Sequence, residues 1–356
     1  MKVAVYAIAL NEEQFVQRWY ESSKEADYHL IADTGSSDKT IEVANSFGIH
    51  THSISVKPWR FDDARNASLV LIPEDVDYCI ALDLDEVMQP GWREELEKAH
   101  THGVTRPTYR FITSWLPDGS PGTEFDGFRI HTRKNYRWKH PVHEIPNWYG
   151  TGVEKKERMN FEIHHRPDDS KSRGQYLPLL KMAVDEDPTS DRYAFYYARE
   201  LYFHGLYQEA AEEFKRHLAL PSAWWKPERA SSMNYLARIE PEQTTYWCER
   251  SIAESEGRRE PMVILARHYY GKKDWEMSLM WAENALLIKD KKMDYIVEEF
   301  AWGHEVYDYA AIAAYNLGNY ALAVQYGEKA VELNPTDERL QRNLVFYQIK
   351  ESNESV

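Results

Sequence analysis

The sequence predicts an α/β domain over residues 1–166, followed by an all-helical repeat domain over residues 167–356. In the first half, short apolar runs alternate with helical patterns, an order typical of a parallel sheet covered by helices. In the second half, a turn, an aromatic residue and small residues at helical spacing recur along the chain. The length of 356 residues also fits two domains of about 150 residues each.

Three apolar runs predict the buried parallel strands of the first domain, at residues 3–9, 29–32 and 78–82. Residues 12–24 and 39–47 predict the helices between them. Ser36, Ser37 and Asp38 suit the N-cap of the second helix, although no capping box follows. Ligands of such sheets bind at the carboxyl ends of the strands, so polar residues there are the first candidates for a site.

Two aspartates follow the third run, in the order Asp83-Leu84-Asp85-Glu86. Strand side chains repeat every two residues, so both carboxylates are expected to point the same way and to attract a divalent cation. The alternatives are a solvated helix cap and a phosphatase of the haloacid-dehalogenase type, which also uses Asp-x-Asp. Two βα units before the motif, and no Gly-Asp-x-x-x-Asp after it, disfavour the phosphatase. No glycine-rich phosphate loop is present, so a diphosphate would need the metal and basic side chains such as Arg65.

Four blocks of the first half occur in an order that one enzyme family shares. They read Ala-Ile-Ala-Leu-Asn-Glu-Glu at 7–13, Ile-Ala-Asp-Thr-Gly-Ser-Ser-Asp-Lys-Thr at 31–40, Phe-Asp-Asp-Ala-Arg-Asn at 61–66 and Leu-Asp-Leu-Asp-Glu at 82–86. These blocks resemble family 2 glycosyltransferases of the GT-A fold, whose nucleotide-binding domain is Rossmann-like. The resemblance covers residues 1–166. It implies an inverting, metal-dependent, hexosyltransferase-type enzyme with a UDP-sugar as the expected donor.

The resemblance also implies which residues bind the nucleotide-sugar: Ala9, Asn11, Glu12, Asp33, Arg65 and Asp83. Asp33 would contact the nucleobase, Arg65 the nucleotide or its diphosphate, and Asp83 the ribose or the sugar. Asp85 would ligate Mn²⁺ or Mg²⁺, with His143 or His164 completing the metal shell. His165 is a rival to His164, and a lone histidine is more often a surface or hydrogen-bonded residue than a ligand.

Glu144 is the expected general base, because its His143-Glu144 setting resembles the His-Glu block of the same family. Glu86 is the second candidate for the base. Glu144 has two alternative roles, orienting the substrate or stabilising the structure. In the predicted reaction, the base deprotonates the acceptor, which attacks the anomeric carbon in a single in-line displacement.

The repeats of the second half have turns at Gly205, Lys273 and Gly318, each followed two positions later by an aromatic residue. Lys273 lies 68 positions after Gly205, twice the 34-residue tetratricopeptide period, so a degenerate copy should turn near Ile239. The next offset, 45 positions, implies about 11 inserted residues. The pattern resembles the tetratricopeptide-like tails of some family 2 members. This domain is expected to bind the acceptor or to mediate a homodimer.

The net charge of −15 offers no broad positive field for nucleic acid, although a basic stripe runs from Arg129 to Lys139. The acceptor is therefore left as a saccharide, a peptide or protein, or a modified DNA base. Two cysteines and no apolar run of about 18 residues favour a cytoplasmic protein without a membrane span. The rival interpretation is a catalytically inactive binding scaffold. Three tryptophans suit either a sugar platform or core packing: Trp115, Trp138 and Trp148.

Overall fold

The structure, a computed structural model, describes residues 1–167, 174 and 176–354. Its contacts divide the chain into two units. The described parts of 1–113 and 125–183 form an α/β unit, and 114–124 together with the residues from 184 onward form a helical unit. The predicted boundary after residue 166 lies inside the α/β unit, because Tyr176 stacks near two residues of that unit, Phe61 and His143.

The main sheet of the α/β unit has the strand order β3-β2-β1-β4-β8, in which β1 to β4 are parallel and β8 is antiparallel. Its strands are β1 (Val3–Ala9), β2 (Tyr28–Asp33), β3 (His50–Ser53), β4 (Tyr78–Ala81) and β8 (Ile130–Thr132). The three predicted strands are confirmed, and they are buried because β1, β2 and β4 are almost wholly apolar. The edge strand β3 escaped prediction because it is polar and largely exposed.

The α/β unit contains two further sheets. Because they include antiparallel pairs, the unit is mixed and not purely parallel. One has the order β5-β11-β6-β7 and the other pairs β9 with β10. Their strands are β5 (Glu86–Met88), β6 (Arg106–Ile112), β7 (Glu124–Gly127), β9 (Tyr136–Lys139), β10 (Ile145–Trp148) and β11 (Lys156–His165). Strand β11 matters most for the site, because it pairs with β5 at His165 and Glu86.

The helices of the α/β unit bury apolar faces. They are α1 (Glu13–Ser23), α2 (Thr40–Ser46), α3 (Phe61–Val70), α4 (Trp92–Thr101) and, later in the chain, α5 (Tyr176–Glu186). Trp19 of α1 is fully buried, and its Nε1 donates to the carbonyl of Leu82 at 2.9 Å, which fixes α1 beside the end of β4. The predicted N-cap of α2 is only partly confirmed. Asp38 accepts from the Thr40 amide, but the capping position itself is Lys39 and makes no side-chain cap.

The helical unit consists of four hairpins and a final helix. They are α6 (Asp191–Phe203) with α7 (Tyr207–Ala219), α8 (Lys226–Ile239) with α9 (Thr244–Glu254), α10 (Glu260–Gly271) with α11 (Trp275–Leu287), α12 (Glu305–Asn316) with α13 (Tyr320–Leu333), and α14 (Glu338–Glu354). The degenerate copy predicted near Ile239 is therefore a real hairpin. None of the helices in the described part of the chain combines the length and apolar character needed to span a bilayer.

The turns of these hairpins explain the recurring sequence pattern. Gly205, Lys273 and Gly318 all have positive φ, which glycine adopts without strain and which ends the first helix of each pair. The small residues that follow, Ala210 and Ala323 among them, are fully buried where paired helices meet. This is a tetratricopeptide-type helical domain.

One glycine of the α/β unit is required by packing rather than by φ. A Cβ added to Gly127 of β7 would lie 2.6 Å from Cζ of the buried Tyr109 ring. We therefore expect Gly127→Ala to lower the free energy of unfolding by about 1–3 kcal/mol through overpacking, as measured by urea titration. Gly271→Ala is the matched control, since a Cβ there meets nothing within 4 Å. An equal loss in both variants would contradict this account.

Candidate functional site

The loops after β1 and β2 are tied together at the carboxyl edge of the sheet. Asn11 follows β1 with a φ of 56°, and its Oδ1 accepts from the Ser37 amide at 2.8 Å. The amide of Glu12 donates to Oγ1 of Thr40 at 2.7 Å. These bonds hold the two loops in one fixed arrangement.

Asp33 ends β2 directly opposite Ala9 of β1. Its carboxylate accepts from the amides of Gly35 and Ser36, each at 3.1 Å, and is largely buried. The structure thus gathers four of the predicted nucleotide-sugar-binding residues at one edge: Ala9, Asn11, Glu12 and Asp33.

A buried ionic network lies at the end of β4. Arg65 of α3 donates from Nη2 to Asp83 Oδ1 at 2.6 Å and from Nε to Glu144 Oε1 at 2.9 Å. Arg129, between β7 and β8, donates from Nη1 to Asp83 Oδ2 at 2.6 Å and also pairs with Glu86. The network brings together residues that are up to 79 positions apart in the sequence.

The two arginines determine the charge state of Asp83. Burial alone would raise the pKa of this carboxyl, but Arg65 and Arg129 outweigh it and hold the pKa well below the usual range. Asp83 is therefore ionised at neutral pH. Its side chain keeps about a third of its surface exposed, at 33%, so it remains open to a ligand hydroxyl.

Arg65 differs from its predicted role. It was expected to approach the nucleotide, but its side chain is only 3% exposed and packs over the Trp138 ring at 5.2 Å. Trp138 is itself buried and donates to the Tyr6 hydroxyl at 2.7 Å, so it is core rather than a sugar platform. Arg65 acts on Asp83 and Glu144, which makes it a positioning residue.

Glu144 and Glu86 occupy different environments. Glu86 is 2% exposed, and its two oxygens accept from Arg129 and from the Asp83 amide. This burial disfavours Glu86 as a base, and its contacts place it beside Asp83 and Arg129. Glu144 is the more accessible carboxylate, held by Arg65 through one oxygen, and it remains the candidate base.

The strand pattern predicts that the side chains of Asp83 and Asp85 point the same way. In the structure they point in different directions. The strand ends at Ala81, and a turn closed by the Glu86 amide on the Asp83 carbonyl at 2.9 Å carries both side chains. Asp83 meets the arginines, whereas Asp85 Oδ2 lies 3.1 Å from His165 Nε2.

His165, rather than His164, lies beside Asp85. Consecutive strand side chains alternate between faces, so only one of these two histidines faces that carboxylate. His164 Nε2 lies instead 2.8 Å from Glu162 Oε2. The His143 ring stacks 5.9 Å from Tyr176. Of these histidines, His165 is the one whose contact with Asp85 the structure describes.

Asp85 and His165 are the residues suited to a cation. Across the described ranges, no three His, Cys, Asp or Glu side chains converge on a common point. One carboxylate and one imidazole, 28% and 31% exposed, still fit an ion that takes the rest of its shell from substrate phosphate and water. The donor set therefore fits Mn²⁺ or Mg²⁺ bound together with a diphosphate.

The predicted basic stripe is not a continuous surface. Arg129 is committed to the network, Arg133 donates to the carbonyl of Ile72 at 3.0 Å, and Arg137 is exposed on β9. Sequence reasoning included Arg129 only in this stripe and missed its contact with Asp83. No local signal reveals that contact, because it depends on the antiparallel pairing of β8 with β4.

One family model matches the chain. The prolyl 4-hydroxylase peptide-substrate-binding domain, a tetratricopeptide-type model, matches residues 261–350, which lie in the helical unit. No curated protein is significantly similar to the chain.

The solved structures that are similar to this chain each match about half of it, at low sequence identity. The APC/C hetero-tetramer Cut9-Hcn1 has 13% identity and a TM-score of 0.40, covering 50% of this chain and 34% of that one. Pseudomonas aeruginosa pilF has 15% identity and a TM-score of 0.38, covering 46% of this chain and 70% of that one. Glucosyl-3-phosphoglycerate synthase from Mycobacterium tuberculosis, solved with Mn²⁺, UDP and phosphoglyceric acid, has 17% identity and a TM-score of 0.34, covering 47% and 71%.

Asp83→Asn tests the ionic network. Since the folded pKa of Asp83 is depressed, its charge stabilises the fold above the unfolded pKa of about 3.9, and this contribution is lost as the pH falls below that value. We expect the variant to be about 3–5 kcal/mol less stable at pH 7, with a smaller difference at pH 3, in urea titrations. Asp63→Asn, at an exposed carboxylate, should change little at either pH. A pH-independent difference for Asp83→Asn would refute this account.

Proposed function

We propose that the α/β unit is an inverting, metal-dependent glycosyltransferase that moves a sugar from a nucleotide-activated donor to an acceptor. One observation carries the proposal. Asp33, Asp83 and Asp85 all follow parallel strands at one sheet edge, Asp83 is held ionised, and Asp85 has an imidazole beside it. The sequence blocks that resemble family 2 glycosyltransferases contain the same three aspartates.

The donor occupies this edge in the proposed complex. Asp33, with Ala9, Asn11 and Glu12 beside it, faces the nucleobase, and UDP is the expected nucleotide. Asp83 accepts hydrogen bonds from the ribose or sugar hydroxyls, a role that suits a carboxylate kept ionised by two arginines. Arg65 and Arg129 fix its orientation, which limits the rotamer freedom that binding would otherwise remove.

Asp85 and His165 would hold the Mn²⁺ or Mg²⁺ ion. When bound, such a cation supplies Lewis-acid stabilisation of the departing diphosphate. His165 would contribute an imidazole nitrogen, and the amide of Arg166 donates to the Asp85 carbonyl at 2.8 Å, which keeps the end of β11 against the turn.

Glu144 is the proposed general base. Its second oxygen takes the proton of the acceptor nucleophile while that nucleophile bonds to the anomeric carbon. The bond from that carbon to the phosphate oxygen breaks in the same step, and the nucleoside diphosphate leaves with inversion. Arg65 keeps Glu144 oriented through its Nε bond.

A binding scaffold is the second candidate function, and the match of residues 261–350 to a peptide-substrate-binding domain favours it. In this alternative the chain has no transferase activity and acts only through the binding surface of the helical unit. The acceptor, the localisation and a homodimer through the helical unit remain proposals. The phosphatase alternative gains no support from these residues.

Nucleotide binding is tested by thermal shift with UDP, GDP, CDP and dTDP, each with and without Mn²⁺. We expect UDP with Mn²⁺ to raise the unfolding midpoint on the order of 5 °C, because the ligand binds only the folded state. His165→Ala should lose the Mn²⁺-dependent part of the shift, whereas His164→Ala is the matched control that keeps it. Equal effects of the two substitutions would contradict the assignment of His165. No shift with any nucleotide would favour the scaffold.

The base is tested with Glu144→Gln, using hydrolysis of the UDP-sugar with water as the acceptor. The variant should keep the UDP–Mn²⁺ thermal shift but lose turnover by about 100-fold or more, since general-base catalysis contributes that much. Glu157→Gln, at a partly exposed carboxylate of β11, is the control and should retain turnover. Turnover near the wild-type rate in Glu144→Gln would show that another group takes the proton.

A further inference from the structure

The inserted residues of the helical unit form a strap. We use this name for residues 288–304, which connect α11 to α12 and include the insertion that breaks the repeat period. Ile296 and Val297 of the strap are buried. The strap contacts the first helices of successive hairpins, α6, α8 and α10, so it lies along the surface that these helices share.

Carboxylates anchor the strap to arginines. Glu298 accepts from both terminal nitrogens of Arg238 on α8, at 2.7 and 2.9 Å. Asp294 pairs with Arg258, which precedes α10, through both of its oxygens. Bidentate arginine–carboxylate pairs add directional specificity to their charge attraction. The surface therefore binds two acidic side chains that lie four positions apart in the strap.

An aromatic side chain supplies the third anchor. The Tyr295 ring stacks on Tyr196 with centroids 6.0 Å apart and lies 5.4 Å from Trp225. Its hydroxyl donates to Glu228. The strap is an acidic segment with an aromatic residue. Its contacts therefore show which chemical groups this surface binds within the chain.

An open pocket of about 410 Å³ lies at the end of the strap. Phe300 of the strap lines it, together with Tyr202, Tyr309 and the arginines Arg238 and Arg267. Its volume is near the lower end of the range for ligand sites, roughly 300–1,000 Å³, which suits one or two side chains. The pocket repeats the combination of rings and arginines that anchors the strap.

Arg267 distinguishes the pocket from the filled part of the surface. Arg238 and Arg258 already hold strap carboxylates, whereas Arg267 makes no hydrogen bond or ion pair within the described chain. Glu305 is the oppositely charged residue near Arg267, and burial raises the pKa of the Glu305 carboxyl. Arg267 is therefore the cation that is available to an incoming carboxylate.

We propose that this pocket binds an acidic–aromatic segment of a partner polypeptide, with its ring between Tyr202, Phe300 and Tyr309 and its carboxylate on Arg267. The segment shares the chemistry of the strap. The inference concerns the helical unit alone and does not depend on sugar transfer.

The test is fluorescence anisotropy of the full chain with labelled Glu-Glu-Phe-amide, which copies strap residues 298–300. Arg267→Gln should weaken binding at least 10-fold. Arg250→Gln, at another exposed arginine of the same unit, is the matched control and should bind like the wild type. Labelled Lys-Lys-Phe-amide should bind at least 10-fold more weakly than the acidic peptide.

Three results would overturn the proposal. They are no binding of the acidic peptide by the wild type, equal binding of the two peptides, and equal affinities in Arg267→Gln and the wild type. Circular dichroism of each variant separates a lost site from a lost fold. A further variant, Tyr309→Ala, removes one wall of the pocket and should also weaken binding, whereas unchanged affinity would place the peptide elsewhere.

Discussion

The Asp83 carboxylate, held between Arg65 and Arg129, sets the geometry of the candidate site. Its partners come from α3, from the β7–β8 connection and, through Arg65, from the segment containing Glu144. A buried arginine without a carboxylate would be strongly unfavourable, so these segments must meet for the unit to fold. Asn66 reinforces the arrangement, since its side-chain amide pairs with both backbone groups of Trp138.

Such a network is a poor way to gain stability, because desolvating each charge offsets much of the attraction between them. Within the part of the chain that the structure describes, Nη1 of Arg65 is also buried without a hydrogen-bond partner, a loss of about 1–3 kcal/mol. An apolar core of the same volume would avoid both costs. The network is therefore better explained by what it orients: an ionised, one-third-exposed Asp83 and a Glu144 fixed at one oxygen, both at the ligand-binding edge of the sheet.

The sequence predicts the parts of this molecule that depend on local patterns. Continuous apolar runs identified β1, β2 and β4, and small residues at helical spacing identified three hairpins. The 34-residue period alone identified the degenerate copy near Ile239. The remaining features depend on pairings between distant segments. A shift of one residue in β11 exchanges the faces of His164 and His165, so only the register with β5 decides which of them meets Asp85. Burial of Arg65 depends in the same way on the distant Asp83, Trp138 and Glu144.

The strap is an irregularity in the repeat, and it makes contacts that the regular hairpins do not make. In an ideal array each hairpin contacts only its neighbours, so stability is a sum of local terms. A segment anchored on α6, α8 and α10 adds contacts between hairpins that are not adjacent, which couples their unfolding. The same anchors cover surface that the array would otherwise expose. The pocket at Phe300 stays accessible, and the exposed side chain of Arg267 lines it. The strap, which breaks the repeat period, thus determines which part of the helical surface a partner can reach.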